Sequence, residues 1–521
     1  MPKECCDALE EIPAMIHRGM IFEKNEHEVP KLIFCSPQGD IRVLPNRFIE
    51  TGEITDYQNA PLNDPAKTPT QTYTLENAIR FAGKHTKVQL LPGKYYQPVY
   101  ISKPHTNNSA PLTISGMGKK TILCGTNSPT NIYPELPGAD DYAFIKIKDT
   151  NGIVIENLYA EGCWPCFVFA ENCQNVHIKH NHIQDGRYPI FAAGPDSEDF
   201  EITHNYWKQD PSEAIWQDID WLYTHHTHYS HMNGGFFGSL NFKSGIIFSH
   251  NTIEYAFNGL RMAIDTDDVS DRNLNVQIYA NTFRYIRDNA IEPEGHALNW
   301  HIYHNEFINN HAPFSFDNVA GGHWLIYGNI GWFNDQPGMP NQTGRGGKIF
   351  KFGKHPKTSK DSYIFNNSWY TRSYAIKKSN INHLHHFNNA YQFCDHANYT
   401  DQHCLCISRD ALTKKLPENA IWPSNLYFDY DISTAGFGEL KDKYKQEKHG
   451  ITDQAFEFKD SLKGDLRLKT PKQAKGKPLC DVFNLKWVSI QSKNPNKTKK
   501  IAIGAYQGDT LTKGPEFKKY E

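Results

Sequence analysis

The sequence predicts an all-β protein, a right-handed parallel β-helix: a solenoid with an N-terminal capping helix and long loop insertions. Three observations predict this fold. A short motif recurs along the chain, its copies lie about 24 residues apart, and apolar residues alternate within each copy. With 521 residues, the chain exceeds the usual size of one domain, so either two domains or one elongated repeat architecture is expected.

The motif is an apolar residue, a second apolar residue two positions later, an Asn three positions after that, and then an apolar or aromatic residue. VHIKHNHI around Asn181 and WHIYHNEF around Asn305 are examples. Where the copies follow directly, successive Asn residues are 24 positions apart, and a period of this length is typical of a solenoid. Copies stand at Asn181, Asn205, Asn251, Asn281, Asn305 and Asn329, with looser ones at Asn367 and Asn389.

The alternation within each copy requires extended strands with one face turned inward. One turn of the solenoid therefore holds two or three strands separated by bends. The Asn of each copy suits a bend, where a left-handed or bridge conformation is needed. Stacking the copies puts these Asn side chains in an inward ladder, with each amide bonded to the next turn. We therefore expect the Asn residues to be structural and not catalytic.

The repeat is preceded by a predicted amphipathic helix from Leu75 to Ala82, with strands after it. Four apolar residues fall on one face of this helix: Leu75, Ala78, Ile79 and Ala82. Residues 1–70 are predicted to form an N-terminal extension with the first strands. A single β-helix domain then spans 71–510, and a tail covers 511–521.

This region resembles the capping helix and first turn of pectate-lyase-like β-helix proteins, in which a helix and an apolar strand are followed by Pro-Gly-x-Tyr. Leu91-Pro92-Gly93-Lys94-Tyr95 matches that pattern. GDLRLKTPKQAKGKPL from Gly464 and IGAYQG from Ile503 resemble the closing motif of many secreted bacterial β-helix proteins. The resemblance covers roughly residues 70–510 and implies the fold. The same fold carries lyases, hydrolases, epimerases and adhesins.

A row of charged residues is predicted on one outward face. Side chains at equivalent positions of successive turns stack about 4.8 Å apart. We therefore take four apolar residues as inward equivalents: Leu260, Ile291, Phe314 and Phe350. This register needs one extra residue in the turn before Ile291. The next outward positions are then Arg261, Glu292, Ser315 and Lys351, and the outward positions beyond them are Ala263, Glu294, Asp317 and Gly353.

Two carboxylates on one strand face repel each other unless a metal, a proton or neighbouring cations compensate. For β-elimination from a uronic acid, Arg261, Lys351 and Lys243 are the predicted catalytic cations, with His231 as a further catalytic candidate. A calcium ion would be held by Glu292, Glu294 and Asp317. For hydrolysis, Glu292 or Glu294 would work with Asp317 as a carboxyl pair. The predicted substrate-binding residues at the edges of the row are Asp265, Asp288 and His296.

The stretch NFKSGIIFSHNTIEYAFNGLRM is similar to the segment of polysaccharide lyase family six that carries a catalytic Lys and Arg. Lys243 and Arg261 are the matching residues here. That family also has a calcium-binding acid a few residues before the Lys, where this chain has Gly238-Ser239-Leu240. The paired aspartates and Gly-His-Gly of polygalacturonases are absent from the sequence.

Two insertions interrupt the repeat, near 206–242 and 331–347, and loops that extend from a solenoid commonly wall a cleft. The first insertion contains WQDIDWLYTHHTHYSHMNGG. Its Trp216, Trp221 and Tyr223 are predicted to stack on sugar rings. The alternative for this stretch is a transition-metal site formed by its histidines.

Composition restricts the partners. A formal charge of -3 gives no long-range field that would attract nucleic acid or acidic membranes, and no apolar run of membrane-spanning length occurs.

The opening residues are no signal peptide, and Cys394, Cys404 and Cys406 can supply one loop-closing disulfide. The expectation is a secreted or periplasmic protein that cleaves an acidic polysaccharide by β-elimination. The alternatives are a glycoside hydrolase and a non-catalytic glycan-binding β-helix.

Overall fold

The computed structural model describes a large part of the chain and divides it into two compact units, Met1–Trp207 and Lys208–Glu521. No helix among the described residues is long and apolar enough to cross a membrane. The described residues are 31–35, 41–43, 75–76, 79, 86–103, 111–125, 143–163, 165–213, 232–265, 270–317, 319–334, 348–352, 357–371, 375–377, 382–393, 424–470, 475–488 and 501–520.

The first unit is built from twelve strands among its described residues. Leu75, Glu76 and Ile79 are helical, as predicted for the capping helix, and Leu75 and Ile79 are buried. Strands β1 to β12 are, in order, Lys31–Cys35, Ile41–Val43, Thr86–Leu90, Gly93–Tyr95, Val99–Ser102, Leu112–Cys124, Ile145–Glu161, Phe167–Lys179, His182–Gln184, Ile190–Ala193, Glu198–Thr203 and Tyr206–Lys208.

The second unit contains the remaining strands and two short α-helices among its described residues, α1 (Glu439–Asp442) and α2 (Cys480–Phe483). A 3-10 helix covers Ser461–Lys463. Strands β13 to β39 are, in order, Gly235–Leu240, Ser244–Ser249, Thr252–Ala256, Asn258–Ala263, Leu274–Tyr279, Thr282–Ile286, Asn289–Pro293, His296–Tyr303, Glu306–Ile308, Ala312–Phe316, Ala320–Gly322, Leu325–Tyr327, Ile330–Trp332, Phe350–Phe352, Lys357–Thr358, Ser362–Phe365, Ser368–Thr371, Ile376–Lys377, Leu384–Phe387, Ala390–Phe393, Leu426–Asp429, Ile432–Ser433, Ile451–Thr452, Phe458–Asp460, Asp465–Leu468, Tyr506–Gln507 and Thr510–Leu511.

Strands of successive coils pair in parallel within each unit. In the first unit, Ile155, Ile178 and Ile202 are cross-strand partners. In the second unit each coil contributes strands to three rows, and the same inward position recurs from coil to coil in one of them. Because parallel strands joined by crossovers follow a right-handed path, the predicted right-handed parallel β-helix is confirmed. That inward column contains Phe248, Ile278, Ile302, Ile326, Ile364, His386 and Phe428.

The predicted asparagine ladder is present in both units. In the second unit, Asn281 Nδ2 donates to Asn305 Oδ1 at 2.9 Å, and Asn305 Nδ2 donates to Asn329 Oδ1 at 3.0 Å. In the first unit, Asn181 Nδ2 donates to Asn205 Oδ1 at 3.0 Å. All eight predicted Asn residues are at most 2% exposed, so the ladder satisfies buried bends that would otherwise leave polar groups unpaired.

The left-handed residue at each bend is the one before the ladder Asn, which corrects the prediction that the Asn itself suits this conformation. His180 and His204 have φ of 57° and His304 has φ of 56°, and Tyr430 occupies the same position with φ of 62°. The Asn side chain must point inward to reach the next coil. The preceding residue therefore takes the positive φ that turns the chain.

The C-terminal segment lies along the second unit as an added layer. Asn275 Nδ2 donates to the Tyr520 carbonyl at 3.1 Å, and Asn299 Nδ2 donates to the Lys518 carbonyl at 2.8 Å. Asn366 Nδ2 donates to the Gly504 carbonyl at 2.9 Å. Asn275 and Asn299 lie at the same position of successive coils, and Asn366 lies at another. These side chains bind the end of the chain, in the region where the sequence resembles a closing motif and in the predicted tail 511–521.

Candidate functional site

The predicted register of the charged row is confirmed. Leu260 pairs with Ile291, Ile291 with Phe314, and Phe314 with Phe350. In the outward row Arg261 pairs with Glu292. Ser315 pairs with Lys351, and the same register sets Glu292 beside Ser315.

The extra residue predicted before Ile291 lies in the turn at Arg287–Asp288. Ala256 pairs with Ile286 before this turn, and Leu260 pairs with Ile291 after it. The turn therefore absorbs the additional residue without shifting either strand.

The row lines a cleft with a volume of about 380 Å³ in the second unit. Outward-pointing side chains from the equivalent strands of four successive coils form it, together with residues of the turns beside them. Its polar lining includes both signs of charge. The lining residues are Asn233, Asn258, Arg261, Asp288, Glu292, Pro293, Glu294, Ser315, Asp317 and Lys351.

Glu292 is the most perturbed acid of the cleft. It is 8% exposed, and burial, followed by repulsion from Asp288, raises its pKa to about 8 against the opposing effect of Arg261. Asn289 Nδ2 donates to Glu292 Oε1 at 2.7 Å, and Asn258 Nδ2 donates to Glu292 Oε2 at 3.2 Å. Asn258 Oδ1 accepts the Asn289 backbone N–H at 2.8 Å, so Asn258 stays a donor to Glu292. Asn289 Oδ1 has no partner among the described residues, so the Asn289 amide can donate to or accept from the carboxyl group.

Of the other three acids in the lining, Glu294 and Asp317 are paired with cations. Arg261 Nη2 donates to both oxygens of Glu294, at 2.9 and 3.1 Å, while its Nε lies 3.8 Å from Glu292 Oε2. Lys351 Nζ lies 3.6 Å from Asp317 Oδ2. The side chains of Arg261 and Lys351 are 29% and 28% exposed, so both cations remain accessible from the cleft. These cations provide the charge compensation that the Glu292–Glu294 arrangement requires.

The Ser315 hydroxyl is a further polar group in the lining. Ser315 is fully buried, and its Oγ has no hydrogen-bond partner among the described residues. A buried hydroxyl that lacks a partner carries a desolvation penalty. The cleft thus brings together an acid of raised pKa, two cation-paired carboxylates, Asp288 and an unsatisfied hydroxyl.

Three predicted residues lie outside the cleft lining. Asp265 is exposed and accepts a hydrogen bond from the Asn241 side chain. His296 is buried, its Nδ1 is 2.8 Å from the Arg272 carbonyl, and burial lowers its pKa. Lys243 is half-buried just before the strand Ser244–Ser249. Asp265 and His296 contact neighbouring protein groups, and their role in substrate binding stays a prediction.

Several predictions fall on residues that the structure does not describe. These are the catalytic candidate His231, the aromatic candidates Trp216, Trp221 and Tyr223, and the cysteines Cys394, Cys404 and Cys406. Most of the two predicted insertions also lies outside the described residues.

The sequence interpretation missed the two Asn residues that contact Glu292. Asn258 and Asn289 occupy the same place in their coils, two positions before the aligned residues Leu260 and Ile291. This repeated Asn can be seen in the sequence, but the ladder motif is the stronger pattern. Asn233 and Pro293 also line the cleft without having been predicted.

The calcium ion predicted on Glu292, Glu294 and Asp317 stays a prediction. Carboxylate oxygens suit calcium, and all three residues line the cleft. Calcium would have to compete with Arg261, which holds both oxygens of Glu294.

No protein-family model and no curated protein sequence matches this chain. Similar solved structures include the Dettilon tailspike protein (11% identity, 62% of each chain covered, TM-score 0.33) and pectate lyase Pel9A (11% identity, 91% of this chain and 96% of that chain, TM-score 0.29). A PL6-family alginate lyase is also similar, at 12% identity over 76% of this chain and 54% of that chain, with a TM-score of 0.32. The chain spans 62% of the tailspike and 54% of the alginate lyase. The fold assignment rests on the strand pairing of the chain itself.

Proposed function

We propose that this chain cleaves glycosidic bonds of an acidic polysaccharide in the cleft, with Glu292 as the proton donor. The observation that carries the proposal is the raised pKa of Glu292, about 8, beside two carboxylates that are paired with cations. A general acid must hold its proton at the working pH. Carboxyl groups whose environments separate their pKa values commonly divide the acid and base roles.

In hydrolysis, Glu292 would protonate the leaving glycosidic oxygen. Glu294 or Asp317 would act as the nucleophile or would activate water. Arg261 and Lys351 favour a substrate that carries carboxylates, because the net charge of the chain is -3 and a uronate must therefore be attracted locally. A polysaccharide partner and a secreted or periplasmic location are part of this proposal.

The two accessible cations favour β-elimination as a second candidate. In that reaction Arg261 would neutralise the uronate carboxylate, and Lys351 in its uncharged form would take the proton at C5. Glu292 would supply the proton to the departing oxygen. The two candidates share the acid and the substrate class, and they differ in how the bond breaks.

Purified protein incubated with a panel of uronate polymers tests the proposal. New reducing ends report cleavage by either route. Absorbance at about 235 nm reports elimination alone, since only elimination creates a conjugated double bond. We expect reducing ends from at least one polymer. Glu292→Gln should lower the rate by about a thousandfold, as loss of a general acid does.

Asp361→Asn is the matched control, because Asp361 is exposed and does not line the cleft. It should retain the wild-type rate. If Glu292→Gln cleaves within twofold of wild type, Glu292 is not the acid. If polymers bind but are never cleaved, the cleft belongs to a glycan-binding module.

A further inference from the structure

Three buried side chains meet at the far end of the asparagine ladder. His386 lies on the strand Leu384–Phe387, Asp431 directly precedes the strand Ile432–Ser433, and Glu447 lies shortly before Ile451–Thr452. One nitrogen or oxygen atom from each lies within 4.8 Å of the others. All three residues are 0% exposed. None of them lines the cleft.

The position of Asp431 is that of a ladder Asn. The Asn389 backbone N–H and its Nδ2 donate to Asp431 Oδ1 at 2.7 and 3.1 Å, as each ladder Asn donates to the next. A ladder amide would point its N–H groups at carbonyl oxygens, as Asn389 Nδ2 does toward the Ile364 carbonyl. Asp431 has a second acceptor oxygen in place of that donor, so this oxygen requires a positive partner.

His386 also stands at an exceptional position. Its equivalents in neighbouring coils are Ile364 and Phe428, in an inward column that is otherwise apolar. His386 Nδ1 lies 2.7 Å from Asp431 Oδ2, and Nε2 lies 2.8 Å from the Tyr391 hydroxyl. A polar ring at this core position is costly unless it binds a specific partner.

Glu447 leaves the charge of the cluster unbalanced. Its Oε1 has no hydrogen-bond partner among the described residues, while Oε2 accepts the Asp431 backbone N–H at 3.2 Å. Burial and then repulsion from Asp431 raise the pKa of Glu447 well above its usual value. Two adjacent carboxyl groups in a dry core need a shared proton or a cation.

We propose that His386, Asp431 and Glu447 bind one divalent transition-metal cation, which closes the end of the ladder. An imidazole nitrogen with two carboxylate oxygens suits Zn²⁺ and related ions, whereas calcium prefers oxygen ligands alone. Nε2–H would donate to the Tyr391 hydroxyl and leave Nδ1 free to bind the metal, the usual outer contact of a metal-bound imidazole. Nδ1 and Asp431 Oδ2 would move apart by about half an ångström to admit the ion at normal bond lengths.

Metal content tests the proposal. The full chain and its variants are produced in medium supplemented with Zn²⁺, dialysed against metal-free buffer, and measured by elemental analysis. We expect about one equivalent of metal per chain in the wild type and a loss of more than tenfold in Asp431→Asn and Glu447→Gln. Asp431→Asn restores the ladder amide, so this variant should fold.

Asp361→Asn is the matched control. Asp361 pairs with His383 at 3.1 Å in an exposed contact of the same unit. This variant should keep its metal. A second readout is Co²⁺ substitution, since visible absorption from the bound ion should appear in the wild type and be absent from Asp431→Asn.

The proposal fails if the wild type retains less than a tenth of an equivalent of metal, because the cluster would then share a proton. It also fails if Asp361→Asn loses the metal as fully as Asp431→Asn. Metal that is retained by a folded Asp431→Asn variant also refutes it. Should both core variants fail to fold, His386→Phe takes their place in both measurements, because Phe428 occupies the equivalent position of the next coil. Cleavage in the cleft does not enter any of these measurements, so the result is independent of the proposed function.

Discussion

The protonation of Glu292 governs the proposed chemistry at the scale of single residues. The acid form is the active one, and its pKa is raised to about 8. The rate should therefore hold on the alkaline side up to pH about 8 and then fall about tenfold for each further pH unit. A profile of kcat/KM from pH 5 to pH 10 measures this limb.

A limb at the ordinary carboxyl value, near 4.5, would show that Glu292 is not the acid in the free protein. Arg261→Lys is an informative companion, because the cation stays in place while the two-oxygen grip on Glu294 is lost. Arg261 opposes the upward shift at Glu292. A weaker contact between residue 261 and Glu292 should therefore leave the alkaline limb of the kcat/KM profile at the same pH or move it to a higher pH.

Hydrogen-bonded columns stabilise the fold at the scale of the element. Asn281 accepts bonds from Asn251 and donates to Asn305 and to the Phe248 carbonyl. The stability of each strand row thus comes from contacts between consecutive coils and not from contacts within a strand.

Asn281→Ala should destabilise the protein by about 2 to 4 kcal/mol, because it leaves buried groups on two neighbouring coils without partners. Urea denaturation followed by circular dichroism measures the loss. Asn172→Ala, at an exposed residue that donates to Asp149, is the control and should change stability by less than about 0.5 kcal/mol. Equal effects of the two substitutions would refute a special role for the ladder.

The C-terminal segment covers one side of the second unit, which matters at the scale of the whole molecule. His301 lies beneath this layer, fully buried, with neither ring nitrogen bonded to a described residue. Its ring lies 4.9 Å from that of Phe517. Burial lowers the pKa of His301 to about 3.

The folded chain therefore binds fewer protons than the unfolded chain between pH 3 and the usual His value of 6.5. Stability should fall as the pH drops through that window, on the order of 2 kcal/mol between pH 6.5 and pH 5. A stop after Thr512 removes Phe517 and exposes His301. We expect lower stability at pH 7 but a smaller further loss at pH 5, measured by urea denaturation at both values.

His301→Phe in the full-length chain is the companion variant. It should show the same reduced acid sensitivity while keeping the C-terminal contacts. An unchanged difference between pH 7 and pH 5 in both variants would exclude His301 as the source.

The sequence alone determined the period, the asparagine ladder, the register of Arg261 with Glu292, and the turn that holds the extra residue. These features follow from local rules, because alternation fixes which side chains point inward and stacking of equal repeats fixes which residues become neighbours.

Only the tertiary structure decided how deeply each outward residue is buried and which groups pair. Burial and repulsion from Asp288 raise the pKa of Glu292. Arg261 lies closer to Glu294 than to Glu292, its cross-strand partner. His386 lies in the last motif copy, and Asp431 and Glu447 join it from two later segments. Desolvation and charge pairing depend on the whole surroundings of a group, and no repeat pattern encodes those surroundings.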